Sequence, residues 1–195
     1  MVQLLETLQN WPPEALWPVM LAACFGSVLI LHRVFGAVGL QVYVVISVLA
    51  ANLQVLKAVQ FGFFAEPVAL GTVMFSSSYL ATDLLAERYG PRPARTAVFL
   101  GFAGYSVFVV MMLLTLGFAP LTAEQAGESM AWAVENQTHL EALFLPAPAL
   151  FAAGMIAYLT SQLHDVWLFD RLNRAFAGRH LWLPMRAVAM TTDDP

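Results

Sequence analysis

Five predominantly apolar stretches, near residues 14–32, 36–57, 67–88, 96–119 and 145–169, constrain what this chain folds into more than anything else in it. At 1.5 Å of rise per residue, roughly 20 helical residues cross the ~30 Å hydrocarbon layer of a bilayer. The expected fold is therefore all-α: a polytopic transmembrane helix bundle of about five spans, in one domain over residues 1–195. Composition agrees, because 59% of the 195 residues are hydrophobic and only 11% are charged, with a mean hydropathy of +0.69. A water-exposed domain does not carry that apolar excess.

The first stretch is the weakest, since its uninterrupted part from Val19 to Leu31 is short and opens on Trp17-Pro18. Proline suits a first helical turn. Within it, Leu21-Ala22-Ala23-Cys24 has the form of a lipoprotein cleavage box. No Lys or Arg precedes it, and the apolar run continues past Cys24 to Leu31, where a cleavable segment stops. A buried helix cysteine is expected instead. A single cysteine allows no intrachain disulfide and no zinc cluster, and neither a metal nor any other cofactor is expected.

The nine Lys and Arg residues sort by side. Arg33, then Arg88, Arg92 and Arg95, then Arg171, Arg174, Arg179 and Arg186 all fall on one face of the five-span topology. The other face holds Lys57 with Glu66, Glu124, Glu128, Glu135 and Glu141. By the positive-inside rule the N-terminus is expected outside and the tail in the cytoplasm. The basic residues are too few for a surface that grips nucleic acid. Residues 120–144 mix acids with Trp132, Val134 and Leu140, which reads as an outer loop with a helix lying along the interface. The tail at 170–195, with Leu172, Phe176 and Trp182 among arginines, suits the inner headgroup layer.

Small polar residues in the spans satisfy themselves on the helix backbone. Ionised ones need an account, because a charge in hydrocarbon persists only when paired, solvated or turned toward a cavity. In the third span Tyr79, Asp83 and Glu87 share a face at i, i+4, i+8 spacing, with Ser76 two turns above Asp83. In the fifth, Tyr158, Gln162 and Asp165 share one by i+4 and i+3 steps. The two stripes are expected to meet across a bundle interface, with Asn52, Gln54 and Gln41 of the second span as weaker contributors. His164 points about 100° away from Asp165 and reads as interfacial. Glu87, beside Arg88, reads alone as a helix-end charge.

A carboxylate accepts two parallel hydrogen bonds, so it matches an amidine-like edge such as the N1–H and exocyclic amine of a guanine-type base. Tyrosine and tryptophan rings supply stacking faces for a flat ligand. Low-dielectric surroundings favour the neutral form of a carboxyl group in general, which adds proton binding to the chemistry within reach.

Two motifs carry a family resemblance: Tyr79-Leu80-Ala81-Thr82-Asp83-Leu84-Leu85-Ala86-Glu87-Arg88-Tyr89-Gly90 and Leu159-Thr160-Ser161-Gln162-Leu163-His164-Asp165-Val166-Trp167. Phe35-Gly36 with Gly39-Leu40, Ala51-Asn52-Leu53-Gln54-Val55 with Lys57, and Gly178-Arg179-His180-Leu181-Trp182-Leu183 extend it. On these the chain resembles the queuosine precursor transporter family, also described as vitamin-uptake-transporter-like proteins. The resemblance implies an inner-membrane importer of 7-deazaguanine bases. It adds Asn52 to Asp83, Glu87, Gln162 and Asp165 as substrate-binding residues, beside Tyr79 and Tyr158 of the stripes. The expected partners are a small nucleobase-like substrate and the lipid bilayer, with self-association or a helper subunit as a further class.

One departure stands out. After Leu181-Trp182-Leu183 the family typically continues through a polar Arg-Asn-Asn stretch into another membrane helix with a second Ser-Gln-plus-Asp motif, whereas this chain reads Pro184-Met185-Arg186 and ends at Pro195. On that pattern the chain is expected to be short by a helix, and a truncated, non-transporting membrane protein is one alternative. Another is the substrate-binding subunit of an energy-coupling-factor vitamin importer, whose ATPase must come from elsewhere because no Gly-rich Gly-Lys-Ser/Thr loop occurs here. An intramembrane aspartyl hydrolase on Asp83 and Asp165 lacks its Gly-x-Gly-Asp setting. The chain reads as a transporter and not as an enzyme.

Overall fold

A computed structural model describes residues 2–145 and 147–175 as an all-α bundle with one two-residue hairpin. The order is α1 (Val2–Gln9), α2 (Pro13–Gln54), β1 (Ala58–Val59), β2 (Val68–Ala69), α3 (Gly71–Tyr89), α4 (Pro91–Leu116), α5 (Ala123–Ala126), α6 (Ala131–Phe144) and α7 (Ala147–Ala175). The tail reading beyond residue 175 and the Gly178–Leu183 motif lie outside the described residues.

Helix α2 is two arms. Gly36 breaks it with φ 58° and ψ −135°, a conformation that L side chains avoid and glycine takes without steric cost. The arms fold back so closely that a Cβ at Gly39 would overlap the Leu31 carbonyl oxygen and stand 3.0 Å from the Phe35 Cβ. The first two apolar runs are therefore antiparallel neighbours joined without a loop. A second one-residue turn, at Gly90, joins α3 to α4. Helix α4 starts earlier than the apolar run at 96–119 because Pro91 and Pro93 sit in its first turn, where their fixed φ suits a helix start. Arg92 and Arg95 are thus helical residues.

The two turns meet at one end of the bundle. The Tyr89 hydroxyl lies 3.3 Å from His32 Nε2, and Gln41 Nε2 donates to the Pro93 carbonyl at 3.5 Å. Arg33, Arg88, Arg92 and Arg95 belong to this end. At the opposite end β1 and β2 pair antiparallel, Ala58 with Ala69 and Val59 with Val68, and Glu14 Oε1 accepts the Gly62 N–H at 2.6 Å. Phe61, Phe63 and Phe64 cluster there, the last two rings 4.7 Å apart. Residues 120–144 hold α5, closed by a capping box between Thr122 and Gln125, and α6, whose Phe144 packs on Phe108 of α4 at 5.7 Å.

Helix α2 packs on α3 and α4, and α7 closes the bundle against the same two helices. The core is Val28, Leu40, Val44, Val48, Ala81, Leu85, Ala94, Ala97 and Val98, each almost wholly buried. Small residues at its seams let backbones approach, as helices packing in lipid require. Outward, Ile30, Val38, Ile46, Phe99, Val110, Leu114 and Ile156 are exposed, an apolar belt that only lipid or protein covers favourably. Among the described residues two helices are long and apolar enough to cross a membrane on their own, Pro13–Gln54 and Pro91–Leu116. Helix α3 carries Asp83, Glu87 and Arg88, and α7 carries Gln162, His164 and Asp165, so neither is uniformly apolar. Cys24 is buried, its thiol 3.2 Å from the Met74 sulfur.

Candidate functional site

The two stripes read from the sequence meet along the α3–α7 seam in three polar layers. In the first, the Tyr79 hydroxyl donates to Ser161 Oγ at 2.9 Å. In the second, Gln162, fully buried, donates through Nε2 to Ser78 Oγ at 2.8 Å and accepts at Oε1 from Thr82 at 3.3 Å. In the third, one turn further toward the Gly36–Gly90 end, the carboxyl groups of Asp83 and Asp165 hydrogen-bond each other. Asp83 Oδ1 and Asp165 Oδ2 are buried and have no partner among the described residues. Buried polar atoms are nearly always satisfied, so these two oxygens are acceptors available to a ligand.

Toward the hairpin end the seam opens into a cavity of about 450 Å³, within the roughly 300–1,000 Å³ of small-molecule sites. Phe75 and Tyr79 of α3, Tyr105 and Phe108 of α4, Phe144 of α6 and Tyr158 of α7 give it an aromatic wall. Asn52 and Ser161 add polar groups. Asn52 Nδ2 donates to the Val48 carbonyl of its own helix at 2.7 Å, which leaves its amide oxygen turned to other use.

Each residue read from the sequence has a definite place. Asn52, Tyr79 and Tyr158 line the cavity; Gln162, Asp83 and Asp165 lie beyond it, behind the Tyr79–Ser161 layer. Glu87 is half-buried, one turn past Asp83, and does not reach the cavity. The Tyr158 hydroxyl leaves the stripe and donates to the Val98 carbonyl of α4 at 3.4 Å. Ser76 is exposed and bonds the Thr72 carbonyl of its own helix at 2.8 Å. His164 is exposed too, its ring 5.8 Å from Trp167.

Sequence reading passed over Ser78, Thr82 and Ser161, since small hydroxyls were expected to satisfy themselves locally. Ser78 and Ser161 do so, donating to the Phe75 and Tyr158 carbonyls, while the single Thr82 proton is shared between its own helix's carbonyls and Gln162 Oε1. A hydroxyl oxygen keeps lone pairs after donating its proton, and Gln162 and Tyr79 use them. The i, i+4 spacing of Ser78 and Thr82 beside the Tyr79–Asp83 pair was the available signal.

The family model described as "Putative vitamin uptake transporter" matches residues 69–192, a stretch that takes in α3, α4 and α7. The chain belongs to this family. A relative from Bacillus subtilis (strain 168), named "Probable queuosine precursor transporter", is 34% identical over 171 residues, which cover 87% of this chain and 69% of the relative. No solved structure matches the chain. As a family member the chain is an integral membrane transporter of vitamin-like precursors, and not an enzyme.

Proposed function

We propose that this chain imports a queuosine precursor, a 7-deazaguanine base, across the cytoplasmic membrane, with the base passing along the α3–α7 seam. The observation that carries the reading is a pair of acceptors without partners among the described residues, Asp83 Oδ1 and Asp165 Oδ2, set behind an aromatic cavity. A flat base stacks on the rings of that cavity, and its N1–H and exocyclic amine are two donors for the two free oxygens, one from each carboxyl group. Gln162 and Asn52 supply amides for the remaining edge, and Glu87 lies on the exit side of the carboxyl pair. The Gly36–Gly90 end, with Arg33, Arg88, Arg92 and Arg95, faces the cytoplasm by the positive-inside rule, and the cavity opens outward. Movement of α7 against α3 then exchanges access between the two sides, as in transporters whose sites sit at a helix-bundle interface. A proton held between Asp83 and Asp165 is the coupling ion we assign to it.

The test is uptake of a labelled 7-deazaguanine base by cells that lack their own importer. Cells expressing the chain accumulate the label, and unlabelled guanine-type bases compete while pyrimidines do not. Expression at the membrane without accumulation overturns the reading. Cysteines placed at Arg92 and at Glu124, probed with an impermeant reagent on intact cells, check the orientation: only the second is labelled.

A further inference from the structure

Gly101 of α4 is buried, and its missing side chain has a definite replacement. A Cβ built there would stand 2.5 Å from the Tyr158 Oη, 3.2 Å from Val48 Cγ2 and 3.4 Å from the Tyr158 Cζ. Non-bonded heavy atoms sit best at roughly 3.5–4.0 Å, so the hydroxyl end of Tyr158 fills the space a residue at 101 would take. One turn earlier, the Val98 carbonyl accepts that hydroxyl at 3.4 Å. Val98 and Gly101 together form a notch in α4 that seats the tip of a ring from α7. Tyr158 itself is only 4% exposed, and the open space it borders is the cavity. A side chain at 101 therefore displaces the ring into the cavity, because Val48 closes the α2 side.

We infer that Gly101 is a positioning residue for the substrate: by having no side chain it seats Tyr158 in α4, and the seated ring sets the width of the cavity and hence the size of planar ligand admitted. This rests on the transport reading above. Gly101 touches no substrate; it acts through Tyr158. The nearby Gly104 differs, since a Cβ there meets Val45 Cγ1 at 3.0 Å and touches nothing that lines the cavity.

The experiment compares Gly101→Ala, Tyr158→Phe, their double variant and Gly104→Ala by two readouts. One is uptake kinetics for a labelled 7-deazaguanine base. The other needs no substrate: in purified protein carrying Cys24→Ser and Val109→Cys, a bulky methanethiosulfonate reagent labels a buried position that lines the cavity. Gly101→Ala raises KM about tenfold with little change in maximal rate, the low end of what one methylene-sized mismatch costs in a pocket, and slows labelling at 109 by a similar factor. Tyr158→Phe removes the oxygen at 2.5 Å and leaves carbon at 3.4 Å. The double variant therefore labels as fast as Tyr158→Phe alone and shares its KM. Gly104→Ala changes neither readout.

Unchanged labelling in Gly101→Ala, or a double variant as slow as Gly101→Ala, overturns the notch. If Gly101→Ala does not accumulate in the membrane, recovery of accumulation in the double variant upholds the notch, and no recovery overturns it. If no form takes up the base while the labelling series holds, the transport reading falls and the notch stands.

Discussion

The seam between α2 and its neighbours α3 and α4 and the seam between α3 and α7 are built from opposite materials. The first is Val28, Leu40, Val44, Val48, Ala81, Leu85 and Ala97, buried and apolar, closed up by glycine at positions 71 and 101. The second is held across its middle by Tyr79–Ser161, Ser78–Gln162–Thr82 and Asp83–Asp165. In lipid there is no hydrophobic drive between helices, so the first seam depends on shape and dispersion, which fall away steeply with separation. The second depends on a few directional bonds, and those can be exchanged for bonds to a polar ligand. A bundle that must stay assembled while it passes a polar substrate needs both.

The comparison breaks first at the carboxyl pair. Asp83→Asn and Asp165→Asn each replace an acceptor oxygen with a donor, and uptake of the labelled base falls by roughly a hundredfold, the factor for about 2–3 kcal/mol of lost charged hydrogen bonding. The amount of protein in the membrane stays the same. Uptake at the intact rate in both variants removes the site from the seam.

Next comes the packing of the two arms of α2, on which the apolar seam is built. Gly39→Ala drives a methyl group into the Leu31 carbonyl, an overpacking of about 2 kcal/mol or more. The thermal unfolding midpoint in detergent drops by several degrees, while the α3–α7 seam keeps its chemistry. An unshifted midpoint shows that the arms of α2 are not packed as described.

Smaller effects separate the polar layers. A double-mutant cycle of Ser78→Ala with Gln162→Leu gives a coupling of about 0.6–1.7 kcal/mol, the range found for hydrogen bonds between membrane helices. The same cycle on Tyr79→Phe and Ser161→Ala gives the least, about 0.6 kcal/mol, because this pair borders the cavity and water competes for it. Coupling in the reverse order places the stronger tie at the cavity.

The apolar runs made the helices legible, and the separation of Arg33, Arg88, Arg92 and Arg95 from Lys57 made one shared end legible. Asp83 and Asp165 were legible for the same physical reason, the cost of a charge in hydrocarbon. What stayed hidden depended on direction. Tyr158 shares a helix face with Gln162, yet its hydroxyl turns to Val98 because Gly101 leaves room there. The connection between the first two runs is a single glycine, since φ 58° reverses a helix in one residue. Ser78 outranks Ser76 because α3 is buried on the side that Ser78 faces, and helical spacing alone does not tell which side that is. Helix α1, which lies over no apolar run, has no buried residue.

The one-residue turn at Gly36 has a mechanical consequence. A connection that short stores no slack, and neither does Gly90, so both arms of α2, the end of α3 and the start of α4 are coupled as a single block at that end. Helix α7 is tethered to α4 through residues 117–146, which hold two further helices. The long connection thus falls on the helix whose seam with α3 is made of exchangeable bonds, so the covalent linkage constrains α7 less than it constrains the helices joined at Gly36 and Gly90.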